Sequence, residues 1–394
     1  MQRLVGGNYA PSAVPITSDH ESIEAFTTPV DDDAIDDLRQ RLLRTRWAGG
    51  EVVDDWSQGV PRAELQRLCA YWADGYDWPA RAARLDRFPQ FRTTIDSLGI
   101  HFVHVRSPEA DALPLVLTHG WPGSIVEFQE VIGPLTDPAA HGGDPADAFH
   151  VVCPSLPGYG WSDPPTEPGW GVSRIAATWA ALMARLGYQR YGAQGGDWGS
   201  MVTTALGALD VDHVAGIHLN MPIVLPDSDP ETPAERQMGD DLKAFMAVDS
   251  GYQIVQSTRP QTVGYGLVDS PVALAAWIVE KLWSWADNGD DLRAGFTDDE
   301  ILDNLMLYWL PATGASSARL YWESARNLEL PIVGVPVGCT IFPKEIYRTS
   351  QRWASAYFAD LRYFHEVDRG GHFAAFEQPE LFVDEIRACF ATMR

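Results

Sequence analysis

The stretch Gly195-Gly196-Asp197-Trp198-Gly199-Ser200 decides how the chain is read. Small residues flank one reactive side chain on both sides, as required where a strand turns into a helix too tightly for larger groups. A strand-like run at 191–194 precedes it, and a helical run at 201–209 follows. A serine at the centre would form an acyl ester with its substrate. A carboxylate attacks a saturated carbon instead and becomes the acyl part of the ester itself. Asp197 therefore points to epoxide opening or dehalogenation. An aspartate after a strand can also be an ordinary helix cap, but a cap needs no glycines on both sides.

Working outward, short apolar runs at 101–106, 114–118, 150–154 and 214–219 alternate with helical spacing such as Ile175, Trp179, Leu182 and Leu186. Alternation of this kind implies a mostly parallel sheet flanked by helices, an α/β fold. Residues 225–325 interrupt it with a mostly helical stretch. The alternation resumes at 335–342 and 361–366, with a last helix from about Pro379. A helical insertion between strands of a parallel sheet is how lids are built, over catalytic groups at the carboxyl ends of the strands.

The leading region reads as helical, with no strand pattern before about residue 101. A helix is expected at 31–47, acidic at its start and basic at its end. A second begins at Pro61, carries Leu65, Leu68, Cys69 and Trp72 on one face, and stops near Gly75. The expected divisions are a flexible tail at 1–22, an N-terminal helical wrapping region at 23–100, core at 101–224, a helical lid at 225–325, and core again at 326–394.

Asp197, Glu345 and His372 each follow a strand, in the chain order nucleophile, acid, histidine that belongs to the α/β-hydrolase fold. The acid can also follow the run at 214–219, but Asn220-Met221-Pro222 offers no carboxylate there, which favours Glu345. Two histidines lie near the last strand. His372 sits in a loop after Gly370-Gly371, whereas His365 belongs to the strand itself. The turn His119-Gly120-Trp121-Pro122-Gly123 follows another strand. In this fold its backbone and the amide after the nucleophile form an oxyanion hole, which assigns the donors to Trp121 and Trp198. A simple Pro-Gly turn is the other reading of that loop, and a sharp turn there admits a cis Trp121-Pro122 bond.

The 394 residues carry 29 basic and 54 acidic side chains, a formal charge of −25, which argues against nucleic acid or anionic membranes as partners. The four cysteines are widely spaced, with no metal-binding pattern, and read as buried free thiols compatible with a reducing cytosol. No apolar run is long enough to span a membrane. No signal peptide is apparent, and the expected location is cytoplasmic.

The motifs HGWPGS (119–124), GGDWGS (195–200) and RGGHFAAFEQPEL (369–381) together resemble those of the microsomal epoxide hydrolase family, whose members include juvenile hormone epoxide hydrolases and soluble bacterial relatives. The segments at 250–277 and 316–324 extend the resemblance, which spans roughly 25–392. It implies an α/β-hydrolase fold with a helical lid, and a glutamate acid at Glu345. It also implies two lid tyrosines, Tyr252 and Tyr321, that hold the epoxide oxygen, and no metal or organic cofactor. The implied partner is a small-molecule epoxide, in detoxification or natural-product biosynthesis. The membrane anchor of mammalian members is not seen, and a homodimer is compatible with the reading. Trp277, Trp283 and Trp322 are expected to line an apolar or aromatic substrate pocket. Two rivals share the nucleophile or the fold: a haloalkane or haloacid dehalogenase, and an inactive hydrolase-like binding protein.

Overall fold

Three antiparallel strands, β1 (Glu24–Phe26), β2 (Gln90–Ile95) and β3 (Leu98–Val105), form one edge of the sheet in the computed structural model. The structure describes residues 22–224, 228–325 and 331–394. The expected tail at 1–22 therefore lies outside the described residues except for Ser22, as does the start of the 225–325 segment. The edge corrects the expectation that no strand precedes residue 101. β2 reads QFRTTI, with polar side chains on both faces, and joins β3 through Asp96 and Ser97 at φ 53° and 61°. Two residues at positive φ suit a tight hairpin, but Asp-Ser is not the usual sequence for one. β1 has only three residues.

β4 (Leu113–Thr118), β5 (Phe149–Pro154), β6 (Tyr191–Gly195), β7 (Val214–Leu219), β8 (Val337–Ile341) and β9 (Leu361–Glu366) continue the sheet in parallel. Among the described residues it has nine strands in the order β1-β2-β3-β5-β4-β6-β7-β8-β9. Every residue of β6, β7 and β8 is buried, which is why these strands read as continuous apolar or small-residue runs rather than alternating ones. The chain steps from β4 outward to β5, then back across to β6 on the other side of β4. Ligands bind at the carboxyl ends of strands where the order reverses in this way. The loop after β4 and the elbow after β6 meet there.

The helix Asp32–Leu43 is shorter than the expected 31–47. Asp31 caps it, and it ends at Arg44, so Arg46 lies beyond it. The second helix, Arg62–Asp74, runs from Pro61 to Gly75 and buries Leu65, Leu68, Cys69 and Trp72. Between β7 and β8 the described chain is helical, including Gly251–Thr258, Pro271–Trp285, Asp298–Trp309 and Gly314–Ser324. Charged pairs tie the N-terminal helices to this insertion. Both Arg67 amino groups reach Asp298, at 2.6 and 2.7 Å. Arg81 Nε donates to Asp303 at 2.9 Å, and Tyr76 Oη donates to the same carboxylate at 2.7 Å. All four cysteines are buried and free. Among the described residues no single helix is long and apolar enough to cross a membrane.

Candidate active site

Asp197 is the first residue of the helix Asp197–Leu209 and has φ 49°, a left-handed conformation rare for a side chain other than glycine. The turn sets the start of the helix hard against β4, which Gly199, two residues on, permits by carrying no side chain. A carbon added at Gly199 would lie 1.9 Å from the carbonyl oxygen of Thr118 at the end of β4. The Trp121 amide donates to Asp197 Oδ1 at 2.8 Å, and the Trp198 amide also stabilises the carboxylate. Burial raises the Asp197 carboxyl above its usual range, against the lowering influence of His372 and these two amides.

Glu345 and His372 come from different strand ends and are brought together by a parallel bridge between Lys344 and Gly371. His372 Nδ1 lies 2.7 Å from Glu345 Oε1, and Nε2 lies 3.6 Å from Asp197 Oδ2. The side chain of Asp197 is 12% accessible, against 3% for His372 and 1% for Glu345, so the aspartate is the member that faces open space. Burial alone would strip the proton from His372. The charge and hydrogen bond of Glu345, with the charge of Asp197, outweigh it and raise the imidazole to about 9. His365, by contrast, pairs with Glu385 at 2.8 Å and is about half exposed.

Tyr252 and Tyr321 reach the same place from the insertion. Tyr252 stacks on Trp121 with ring centroids 4.8 Å apart, and Tyr321 meets the edge of Trp198 at 4.7 Å. Burial, first, and the nearby Asp197 charge hold both phenols well above their usual range, so they stay protonated. Among the described residues the buried Tyr321 hydroxyl makes no well-formed hydrogen bond, although the Tyr252 hydroxyl and the Trp198 indole lie near it. An orphaned hydroxyl is costly in a core and is expected where a ligand oxygen fits.

The loop after β4 is gripped by the insertion. Asn304 Nδ2 donates to the Pro122 carbonyl at 2.8 Å, and Tyr308 Oη donates to that of Gly123 at 2.7 Å. The Trp121-Pro122 bond is cis. His119 is pushed down to about 4 by burial and, being neutral, accepts from the Leu156 amide through Nε2 at 3.1 Å.

The three tryptophans expected to line a substrate pocket, Trp277, Trp283 and Trp322, all lie on the insertion, and none borders the small cavity beside Asp197 and His372. Trp277 Nε1 donates to Gln256 at 2.9 Å, and Trp283 stacks on Trp56 with centroids 4.6 Å apart, tying the insertion to the N-terminal region. Trp322 follows Tyr321 on the helix Gly314–Ser324 and is only partly buried. The aromatic neighbours of the triad are Trp121, Trp198, Trp285 and Phe373. Trp285 packs edge-on against His372 at 4.9 Å, and its carbonyl accepts from the His372 amide at 2.9 Å. No signal in the sequence singled out Trp285 among the tryptophans. No group of side chains suited to a metal ion occurs among the described residues.

Fold and site define a hydrolase of the α/β-hydrolase fold. Residues 114–248 match the alpha/beta hydrolase fold family, and residues 23–128 match the family described as epoxide hydrolase N terminus. A relative from Stigmatella aurantiaca (strain DW4/3-1), assigned to the epoxide hydrolases, is 54% identical over 376 residues, covering 94% of this chain and 86% of its own. Epoxide hydrolase 1 of Sus scrofa is 37% identical, covering 98% of this chain and 92% of its own. The solved structure of Aspergillus niger epoxide hydrolase superposes with a TM-score of 0.86 at 32% identity, over 95% of this chain and 97% of that one. The chain belongs to the epoxide hydrolase family.

Proposed function

We propose that the chain converts an apolar or aromatic epoxide to a vicinal diol through a covalent ester on Asp197. One observation carries this reading. Asp197 stands at the elbow with Oδ1 on the Trp121 amide and Oδ2 facing His372 Nε2, beside two buried phenols.

In the first step Asp197 Oδ2 attacks an oxirane carbon and the carbon–oxygen bond of the ring breaks. Tyr252 and Tyr321 donate to the departing oxygen, and a phenolic proton passes to it. An alkoxide is a poor leaving group without such a donor, and a protonated phenol can supply it. Esterification removes the negative charge of Asp197. One of the influences that hold the proton on His372 is then gone, and the imidazole can act as a base.

In the second step His372 Nε2 takes a proton from water, whose oxygen adds to Asp197 Cγ. Glu345 orients the imidazole and stabilises the imidazolium that forms. The Trp121 and Trp198 amides hold the negative oxygen of the tetrahedral intermediate. The ester carbon–oxygen bond breaks, the alcohol leaves with the proton from His372, and the second water proton restores the phenol. The helical insertion acts as a lid that brings the phenols to the elbow and keeps bulk water out.

The test is to trap the ester. His372→Gln should still be alkylated, and its intact mass should rise by one substrate on a peptide containing Asp197. A His372→Gln enzyme that turns over at the parent rate, with no adduct, would show that the base is misassigned.

A further inference from the structure

Gly123 closes the HGWPG turn, and Glu127 follows in the short 3-10 helix Ile125–Phe128. A carbon placed on Gly123 would lie 1.5 Å from Glu127 Oε1. The carboxyl group therefore occupies the space that a side chain at position 123 would take. It sits deep enough for burial to push it up to about 8, with the charges of His372 and Asp197 acting on it next. It nevertheless keeps part of its surface accessible. Its open face is on an internal cavity, whose walls include Glu127, Gln194, Asn220, Asp197 and His372.

That cavity has room for about 20 Å³, and neither Tyr252 nor Tyr321 lies on its walls. Thr118, Gln194 and Asn220, at the ends of β4, β6 and β7, are among those walls, so the cavity meets Asp197 from the strand ends, with Trp121 between it and the phenols. Its size suits one water, which needs polar partners on several sides. Gln194 provides one. It is 1% exposed, its Nε2 donates to Asn220 at 2.8 Å, and its Oε1 has no partner. With the amide turned the other way, a donor instead of an acceptor would face the cavity, and either binds water.

We propose that Glu127 and Gln194 are positioning residues for the hydrolytic water, holding it between His372 Nε2 and Asp197 Cγ. The inference rests on the ester reading above and adds to it the place from which water attacks. The water gives one proton to His372 and directs the other to Gln194 Oε1. Its oxygen accepts from the protonated Glu127 carboxyl and attacks with its remaining lone pair. Glu127 neither gains nor loses a proton over the cycle. Gly123 lacks a side chain so that this carboxyl group can reach the cavity.

Single-turnover measurements on the intact enzyme separate the two steps. In Glu127→Leu, hydrolysis of the Asp197 ester should slow by about 10²-fold, the scale of a misplaced reactant, while alkylation stays within about threefold. Glu127→Gln keeps a donor and should recover most of the loss. Gln194→Leu tests the opposite wall, should Glu127→Leu fail to fold, and should also slow hydrolysis alone. The proposal is overturned if hydrolysis in the folded Leu variants matches the parent, if both steps slow in proportion, or if Glu127→Gln is no faster than Glu127→Leu. A parent enzyme that forms no ester would sink the Asp197 reading instead, and the two failures are distinct.

Discussion

Replacing Glu345 by glutamine isolates the electrostatic part of the second step. The change keeps the size of a side chain that is 1% accessible and removes its charge from 2.7 Å beside His372 Nδ1. His372 is raised from 6.5 to about 9 because Glu345, helped by Asp197, overcomes the opposing effect of burial. That rise corresponds to ~3 kcal/mol favouring the imidazolium, at about 1.4 kcal/mol per tenfold change. In the ester, Asp197 is neutral and Glu345 is left as the principal stabiliser. Glu345→Gln should therefore slow ester hydrolysis by roughly 10² to 10⁴-fold, the upper figure being the loss seen when a triad acid becomes an amide. The sign of the pH effect is also fixed. Hydrolysis needs neutral His372, so it rises with pH as the imidazolium loses its proton. Without Glu345, burial dominates and the rising limb moves to lower pH even as the plateau falls. Rapid-quench mass spectrometry of the ester over a pH series measures both. Hydrolysis within about threefold of the parent, with an unmoved acid limb, would refute the reasoning.

Tyr321→Phe should slow alkylation by about 10²-fold, the scale of one lost donor, without slowing ester hydrolysis. Because its hydroxyl makes no well-formed hydrogen bond among the described residues, the melting temperature should hold or rise, which calorimetry checks. Arg81→Ala leaves the Asp303 carboxylate, 4% accessible, without its guanidinium partner. Chemical denaturation should show a loss of ~3–5 kcal/mol, most of it recovered by Arg81→Met with Asp303→Leu. His372, Glu127 and Glu377 all hold protons more tightly than usual, at about 9, 8 and 7. Through these three groups the folded chain binds more protons than the unfolded one, and the stability they contribute falls as pH rises. The carboxyl contributions are lost from about 4.5 upward, through about 7 for Glu377 and 8 for Glu127. That of His372 is complete below about 6.5 and lost through about 9. Urea titrations from pH 7 to 9, above the range in which the buried neutral His101, His104, His119 and His218 oppose the trend, should show the decline, and it should flatten in Glu127→Gln.

The elbow was legible because its glycines serve a single backbone purpose, and the parallel strands because burial on both faces makes them continuous apolar runs. Glu345 could be reached from Asn220, where the alternative carboxylate is missing. His372 stood apart from His365 by its loop. The tyrosines were legible only through resemblance, since nothing local separates Tyr252 or Tyr321 from a packing tyrosine. β1 and β2 were not visible, one being three residues long and the other polar on both faces. The surroundings of the expected pocket tryptophans were hidden for another reason. Trp283 is placed by Trp56, a partner more than two hundred residues away in the chain, and no local pattern encodes that contact. Trp285, Gln194 and Glu127 likewise acquire their positions around His372 and Asp197 only from the topology of the sheet.

The central claim is that the oxygen delivered to the product comes from Asp197. A single turnover of excess enzyme in heavy-oxygen water tests it directly. The first diol should carry unlabelled oxygen from the carboxylate, with the label retained on Asp197 and released only in later turnovers. Label appearing in the first diol, with Asp197 unlabelled, would contradict the ester route.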